Sequence, residues 1–333
     1  MERKKYKVIC AMSGGVDSSV AAALLKKQEH DVVGVFMLMH KNSNSRDAKF
    51  VTKKLKIPFK ILDVRKEFKK WVIDYFIQEY KKGNTPNPCV ECNKWIKFRF
   101  LLEKMLEMKA DFIATGHYAR VKNRKLLIAK DIKKDQSYFL WTLKKEQLSK
   151  ILFPIGDYTK EQVRGLAKKL GLPVFNKKDS QEVCFAVSRR SFKAKAGDII
   201  TADGKKVGEH KGLVFYTIGQ RKGIEIGGIG PFYVVKKDLK NNALIVSKSE
   251  KDLLKKEMVV KNMNWISRKP YNGLCKVKIR SMTPMVLARI KKNKVIFNKP
   301  QRAITHGQSA VFYKNREVLG GGVIDILKSK FYN

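Results

Sequence analysis

The stretch of sequence that decides the fold lies between Ile9 and Leu25 and reads ICAMSGGVDSSVAAALL. A short apolar run ends at a pair of glycines, and an Ala- and Leu-rich segment follows directly, which predicts a β-strand, a tight turn and an α-helix. Glycines let a backbone approach a phosphate closely, and the first turn of a helix offers free N–H groups and the positive end of the helix dipole. The stretch therefore predicts a phosphate-binding loop, with Ser13, Ser18 and Ser19 as additional hydroxyl donors. It lacks the Gly-Lys-Ser/Thr ending of the common nucleotide-binding loop.

The sequence beyond this loop continues to alternate between predicted strands and predicted helices. Strand patterns alternate with helix patterns along residues 31–38, 45–57, 58–64, 93–108, 110–117 and 159–172. The last of these predicted helices has a Thr cap at its start and a Gly stop at its end. Strands that alternate with helices are typical of a parallel sheet with helices on both faces.

The pattern of predicted secondary structure changes from about Ile199. Segments such as LVFYTIG, PFYVVKKD and NALIVSK are short, β-rich and broken by glycine, and evenly spaced strand patterns continue as far as VLGGGVI. Such spacing is typical of small all-β barrels and sandwiches. We predict an α/β fold with an N-terminal doubly wound parallel-sheet domain at 1–195, a small central β-rich domain at 196–252 and a C-terminal β-barrel-like domain at 253–333.

The charge of the chain is strongly positive. Lys and Arg number 72 against 30 Asp and Glu, which gives a net charge of +42. An excess of this size indicates a polyanionic partner, because basic side chains that neutralise phosphates release counterions and so drive binding. A general preference for lysine in an AT-rich genome is the alternative explanation, and both can hold.

The chain carries no pattern for membrane insertion. No apolar run approaches the ~18 residues that a membrane-spanning helix needs, and the apolar stretch near the start is too short for a signal peptide. We therefore predict a cytoplasmic protein with no membrane partner. Its five cysteines then stay reduced, and they become candidates for catalysis or metal binding.

Two cysteines stand in suggestive surroundings. Cys92 directly precedes the helix predicted at 93–108 and has Lys94 and Lys97 nearby, and both features are expected to lower the pKa of a thiol. Cys184 lies in the short segment DSQEVCF. A free cysteine is otherwise a small buried hydrophobe, which is the interpretation we prefer for Cys10 and Cys275.

The string Ser-Gly-Gly-x-Asp-Ser is more specific than a pair of glycines. It resembles the PP-loop of enzymes that split ATP between its α- and β-phosphates and activate a carbonyl oxygen as an adenylate. ATP is therefore the expected ligand of the loop. An aspartate beside phosphates also suggests Mg²⁺, with Asp17 as its ligand.

Seven blocks extend this resemblance along nearly the whole chain. They are AMSGGVDSS, TPNPCVECNKWIKF, ATGHYAR, KDQSYFL, DSQEVCF, GEHKGLVFYTIGQRKGI and THGQSAVFY. They occur in the same order as in the tRNA-specific 2-thiouridylases (MnmA/TrmU family) of the PP-loop ATP pyrophosphatase superfamily. The resemblance implies an ATP-dependent tRNA-uridine 2-sulfurtransferase, which adenylates O2 of the wobble uridine and replaces it with sulfur from a cysteine persulfide. AMP, pyrophosphate and 2-thiouridine are then the products.

The resemblance also implies roles for individual residues. Cys92 is the nucleophile and Cys184 the persulfide carrier, which a cysteine desulfurase or a sulfur relay protein loads, and each turnover leaves a Cys92–Cys184 disulfide to be reduced. ATP binding is implied for Ala11, Met12, Ser13, Gly14, Gly15, Val16, Asp17, Ser18, Met37 and Gly116. Contacts with the target base are implied for Asn87, Pro88 and Cys89. Further tRNA contacts are implied for His117, Lys134, Asp135, Gln136, Arg280, Ser281 and Gln308.

Three features depart from the family pattern. The loop after Met37 and the stretch after Cys184 are both shorter, and Cys89 stands where many relatives carry Asp. Cys89 and Cys92 form Cys-x-x-Cys, so the thiolates of Cys89, Cys92 and Cys184 could hold a 4Fe–4S cluster that binds the incoming sulfur. A zinc site would want a fourth ligand. The cluster and the persulfide relay both stay open at this point.

Two other classes of function compete with tRNA thiolation. A PP-loop amidotransferase or ligase acting on a small metabolite would explain residues 12–19, but neither the paired cysteines nor the basic β-rich half. A non-catalytic RNA-binding protein with a degenerate loop would explain the charge. The intact loop string and both cysteines argue against it.

Overall fold

The computed structural model describes residues 4–178, 184–185, 187, 189–224, 226 and 231–325. Residues 179–183 of the DSQEVCF block lie outside this part of the chain. In the N-terminal half the strands are β1 Lys7–Ala11, β2 Asp31–Leu38, β3 Phe59–Asp63, β4 Phe112–Ala114, β5 Ala119–Lys122, β6 Lys125–Ile128 and β7 Ile151–Leu152. The helices are α1 Val16–Lys27, α2 Arg46–Lys54, α3 Arg65–Phe68, α4 Tyr75–Lys81, α5 Pro88–Glu91, α6 Arg99–Glu107, α7 Lys145–Leu148 and α8 Lys160–Lys169. Two π-helical segments lie at Lys69–Asp74 and Cys92–Phe98.

The first sheet is parallel and has the order β3-β2-β1-β4-β7. Successive side chains of a strand point to opposite faces, and β1 shows this directly. Val8 and Cys10 pack in one buried cluster with α1 and α8, whereas Ile9 packs in another with α6. Helices therefore cover both faces, and the doubly wound prediction is confirmed. The strand order reverses between β1 and β4, and ligands of such sheets bind at the carboxyl ends beside that point.

Helix α8 follows the local signals in its sequence. The side chain of Thr159 accepts a hydrogen bond from the backbone N–H of Gln162 at 3.2 Å, and the side chain of Gln162 accepts one from the backbone of Thr159 at 2.9 Å. This reciprocal pair satisfies two N–H groups that the first turn leaves without partners. Gly171 has a φ of +61° just beyond the helix, as expected for the predicted glycine stop.

The central part of the chain forms a small sheet with its own core. Its strands are β8 Gly197–Thr201, β9 Lys206–His210, β10 Tyr233–Asp238 and β11 Ala243–Ser247, in the order β10-β11-β8-β9. Ile199, Val234 and Leu244 are completely buried in this core. The predicted β-rich central region is therefore present.

The C-terminal part is a closed six-stranded barrel. Its strands are β12 Leu254–Trp265, β13 Gly273–Lys278, β14 Val286–Lys291, β15 Lys294–Arg302, β16 Ser309–Lys314 and β17 Glu317–Asp325. Their order is β12-β15-β14-β13-β16-β17, and β12 also pairs with β17, which closes the barrel. The barrel, rather than the sandwich, is the confirmed alternative.

The barrel is joined tightly to the N-terminal half. Strands β5 and β6 extend its sheet beyond β17. Trp141 donates its indole N–H to the hydroxyl of Ser309 at 3.1 Å, and a Cβ on Gly321 of β17 would lie 2.7 Å from the ring of Trp141. Only glycine leaves room for this close approach. The two parts thus share an interface, while the predicted domain limits stay a prediction.

No helix in the described ranges is long and apolar enough to cross a membrane.

Candidate active site

The predicted phosphate loop connects β1 to α1 and is braced by its own hydroxyls. The hydroxyl of Ser18 accepts a hydrogen bond from the backbone N–H of Ser13 at 3.2 Å and donates one to the carbonyl of Gly15 at 3.1 Å. The Ser19 hydroxyl donates to the same carbonyl at 2.8 Å. Gly14 adopts a φ of +74°, which disfavours a side chain. Ser18 and Ser19 therefore hold the loop in shape, and their use as phosphate donors stays a prediction.

Gly116 brings the end of β4 against this loop. A Cβ at this position would lie 2.6 Å from the backbone nitrogen of Ser18 and 2.7 Å from the carbonyl carbon of Asp17. Such contacts are far below ordinary van der Waals distance, so the close approach requires glycine. The structure thus places Gly116 beside residues 11–18, as expected for one nucleotide pocket. Met37 lies in β2 and is 7% exposed within the core.

Asp17 is held by two residues that sequence reasoning missed. The hydroxyl of Tyr118 donates to Oδ1 of Asp17 at 2.9 Å, and Nζ of Lys160 lies 2.8 Å from Oδ1 and 2.9 Å from Oδ2. The sequence did contain one signal for Lys160. A lysine at the first position of a helix opposes the helix dipole and therefore calls for a partner anion.

A second lysine contacts the loop from another side. Nζ of Lys177 donates to the carbonyl of Gly14 at 3.1 Å and pairs with Oδ2 of Asp47 at 2.6 Å. Lys160 and Lys177 therefore place two ammonium groups beside the loop. Lysine ammonium groups and helix N–H groups together suit a polyphosphate ligand.

The structure tests the predicted metal sites through their donor groups. Among the described residues, no three or more His, Cys, Asp and Glu side chains are placed to hold a metal ion. A 4Fe–4S cluster on Cys89, Cys92 and Cys184 therefore finds no support among these residues. Mg²⁺ is different, because it is commonly held by one or two carboxylates together with substrate phosphates. Asp17 is a carboxylate at the loop and fits that role.

The three thiols of Cys89, Cys92 and Cys184 share one electrostatic neighbour, Lys97. Cys184 acts electrostatically on both Cys89 and Cys92, and the Lys97 ammonium acts on all three thiols. All of them are free, as are Cys10 and Cys275, which are buried as predicted. Lys97 lies in the π-helical segment that begins at Cys92. The sequence indicated that Lys97 lies near Cys92, but it gave no sign that this lysine also acts on Cys89 and Cys184.

The expected low pKa of Cys92 is wrong. Burial raises the pKa of this thiol to about 12, and the Lys97 charge only partly opposes the effect. The predicted helix start at residue 93 is also misplaced, because the chain is already helical from Pro88. The N–H of Cys92 donates to the Pro88 carbonyl and offers no free helix N-terminus. Burial also raises the pKa of Cys89 and Cys184.

His117 follows Gly116 and is 8% exposed. Its Nδ1 lies 2.8 Å from the hydroxyl of Thr115, and its ring packs against Phe98 and Phe153. Burial, and secondly the charge of Lys97, hold the pKa of His117 well below its usual value. The imidazole is therefore neutral at neutral pH.

Several predicted tRNA contacts have structural partners within the protein. Asp135 accepts hydrogen bonds from the backbone N–H of Ala129 and the hydroxyl of Ser137, and Gln136 accepts one from the backbone of Tyr118. Lys134 donates its backbone N–H to the Asp131 carboxylate at 3.3 Å. These bonds shape the turn that displays residues 134–136.

The barrel residues lie in two different settings. Gln308 donates to the carbonyl of Thr85 at 2.8 Å, just before Asn87, Pro88 and Cys89, so it belongs near the predicted target-base segment. Arg280 donates to the carbonyls of Ile218 and Ala303 and to the hydroxyl of Thr305. Its guanidinium thus ties the barrel to the central region, and Ser281 follows it at a half-buried position.

Comparison with known proteins identifies relatives over nearly the whole chain. The family model described as tRNA methyl transferase HUP domain matches residues 6–188, the tRNA methyl transferase PRC-barrel domain matches 188–248, and the aminomethyltransferase beta-barrel domain matches 255–324. The tRNA-specific 2-thiouridylase MnmA of Clostridium perfringens is 42% identical over 360 residues, with 97% of this chain and 99% of that protein covered. The protein of the same name from Buchnera aphidicola is 43% identical over 362 residues, with 97% and 98% covered. The resemblance of the seven sequence blocks is thereby confirmed.

Proposed function

We propose that this chain, which belongs to the tRNA-specific 2-thiouridylase family, is an ATP-dependent tRNA-uridine 2-sulfurtransferase. It adenylates O2 of the wobble uridine and replaces this oxygen with sulfur. The proposal is carried by two consecutive residues, Gly116 and His117. Gly116 adjoins the predicted site of adenylation, and His117 adjoins the predicted site of sulfur transfer. Gly116 lies against the backbone of the phosphate loop, and the Lys97 ammonium acts electrostatically both on the next residue, His117, and on the three thiols. An activated uridine and its sulfur carrier can therefore meet beside one strand end.

The first step is adenylation of the uridine. The loop N–H groups and the positive end of α1 hold the phosphates of ATP. O2 of the uridine attacks the α-phosphorus, the bond from this phosphorus to the bridging oxygen breaks, and pyrophosphate leaves with the electron pair. Asp17 would hold Mg²⁺ together with the phosphates, and the ion would neutralise part of their charge.

The second step moves sulfur from Cys184 to the base. A cysteine desulfurase or a sulfur relay protein supplies the persulfide. Its terminal sulfur attacks C2, and AMP leaves with the electrons of the C2–O2 bond. The Cys92 thiolate then attacks Sγ of Cys184, and the terminal sulfur departs with the electron pair as the 2-thio group. A Cys92–Cys184 disulfide remains, so a dithiol reductant must restore the enzyme.

Lys97 has a role in this second step. The raised pKa of Cys92 keeps its thiol protonated in the free protein at neutral pH. An ammonium near a thiolate favours the charged form, and its effect grows when bound substrate excludes water. Lys97 therefore stabilises the Cys92 thiolate after the tRNA has entered.

The partner follows from charge as well as from family. A net charge of +42 suits a substrate that presents many phosphates. The segments around Asn87 and Lys134, together with Gln308 of the barrel, would contact the tRNA near the target base, and the rest of the barrel would contact it farther away. The need for tRNA and ATP supports a cytoplasmic location. A ligase for a small metabolite is not favoured, because it would need neither the thiol cluster nor the basic barrel.

The proposal is tested by mass spectrometry of tRNA nucleosides from a strain that lacks this gene. We expect 2-thiouridine derivatives at the wobble base to disappear and to return when the gene is restored. A gene copy with Cys184→Ser is the matched control and should not restore them. Normal 2-thiouridine content in the deletion strain would overturn the proposal.

A further inference from the structure

Lys160 is a largely buried cation at the phosphate loop that the mechanism above does not use. Its side chain is 12% exposed, and its Nζ lies within 2.9 Å of both carboxylate oxygens of Asp17. It is the first residue of α8, where a positive charge is opposed by the helix dipole. Placement of a lysine here therefore requires a strongly anionic environment.

The carboxylate of Asp17 also accepts a hydrogen bond from the hydroxyl of Tyr118 at 2.9 Å, so its charge is divided between two donors. The loop around Asp17 binds a ligand with several negative charges. A bare carboxylate would repel this ligand, whereas a carboxylate paired with an ammonium does not. The same ammonium can donate hydrogen bonds to phosphate oxygens, and hydrogen bonds between charged groups are the strong ones.

The backbone of Lys160 is held independently of its ammonium. Its N–H donates to Oδ2 of Asp131 at 3.0 Å, and the preceding Thr159 caps the helix. The side chain can therefore move between two anions while the helix start stays in place. A substitution of the side chain should likewise leave α8 and the turn after Asp131 intact.

We propose that Lys160 binds the pyrophosphate part of ATP and shares its ammonium between Asp17 and the phosphate oxygens. The inference rests on the proposed function, since it assumes that the loop binds ATP. It adds a phosphate-binding residue 143 positions away from its loop partner.

Calorimetric titration with pyrophosphate, ATP and adenosine, all in EDTA, tests the proposal without relying on activity. Lys160→Met should weaken binding of pyrophosphate and ATP by about ten- to a hundredfold, the loss expected for one hydrogen bond between charged groups. Adenosine binding should not change, because adenosine has no phosphate. Lys168→Met is the matched control: this lysine is exposed near the end of the same helix, and its loss should alter none of the three affinities.

A second variant separates phosphate binding from mere neutralisation of Asp17. If Lys160 only neutralises the carboxylate, Asp17→Asn combined with Lys160→Met should bind pyrophosphate as well as Asp17→Asn alone. If Lys160 contacts phosphate, the double variant should stay about tenfold or more weaker than Asp17→Asn. Equal affinities of these two variants would overturn the inference while leaving the proposed function intact. Absence of ATP binding by the unchanged protein, both in EDTA and with Mg²⁺, would overturn both.

Discussion

Replacement of Gly116 by alanine tests the junction between the phosphate loop and the end of β4. The new Cβ would lie 2.6 Å from the nitrogen of Ser18, 2.7 Å from the carbonyl carbon of Asp17 and 2.9 Å from Cα of Ser18. Ordinary contacts of this kind begin at 3.4 Å, so a shift of 3.4 − 2.6 = 0.8 Å is needed. All three atoms belong to the backbone, and no flexible side chain can turn aside.

The cost of this change follows from the packing. One extra methyl group in a well-packed interior costs about 1–3 kcal/mol when the surroundings must move. A displaced loop also misdirects its N–H groups, each of which contributes about 1.5–3 kcal/mol when bound to a charged group. We therefore expect Gly116→Ala to weaken ATP binding by about ten- to a hundredfold.

The assay compares three measurements on the purified protein. ATP affinity should fall, the thermal midpoint should fall modestly, and tRNA affinity should fall much less than ATP affinity, because only one predicted tRNA contact, His117, adjoins Gly116 in sequence. Gly165→Ala is the matched control, since nothing lies within 4 Å of the added Cβ in α8. It should stabilise the protein by about 0.5–1 kcal/mol through helix propensity. Unchanged ATP affinity in Gly116→Ala would refute the placement of this glycine in the nucleotide pocket.

Three further predictions concern the thiols and His117. Iodoacetamide at mildly alkaline pH should alkylate Cys184 well before Cys92, because burial raises the pKa of Cys92 to about 12. Peptide mass spectrometry measures the order of alkylation, and earlier modification of Cys92 would contradict the prediction. Cys89→Asp should keep thiolation, whereas Cys92→Ser should abolish it and still permit AMP formation with tRNA; an inactive Cys89→Asp variant would instead favour a metal-bound sulfur. His117 stays neutral in the fold, so the unfolded chain binds more protons below its usual pKa of 6.5. As the pH is lowered below this value, the free energy of unfolding should therefore decrease by up to about 1.4 kcal/mol per pH unit. Urea titrations of His117→Phe at several pH values should show a weaker dependence of this free energy on pH.

Local sequence signals predicted the parts of the fold that local interactions decide. The loop and α1 depend on neighbouring glycines and serines, and the start of α8 depends on Thr159 and Gln162, three residues apart. Short apolar, β-rich runs identified β1 to β4 of the first sheet but not β7, and evenly spaced β-rich segments identified the barrel. These features form within a few residues of chain, so the sequence carries them directly.

Long-range features were beyond such reasoning. Asp17 meets Tyr118 and Lys160 across 101 and 143 residues of sequence, and only the sheet order brings them together. The hairpin of β5 and β6 carries no mark of its pairing with β17. The pKa of Cys92 was mispredicted because it depends on how deeply the thiol is buried, and burial is a property of the folded chain.

A single-turnover reaction of the purified protein tests the proposed tRNA thiolation directly. The protein is first loaded with persulfide on Cys184, then mixed with ATP and a tRNA transcript that carries a wobble uridine. Nucleoside mass spectrometry and nucleotide chromatography follow the two products. We expect 2-thiouridine and AMP to form in equal amounts, both to need tRNA, and Cys92 and Cys184 to end as a disulfide. AMP formation that does not depend on tRNA, or a transcript whose uridine stays unchanged, would contradict the proposed thiolation.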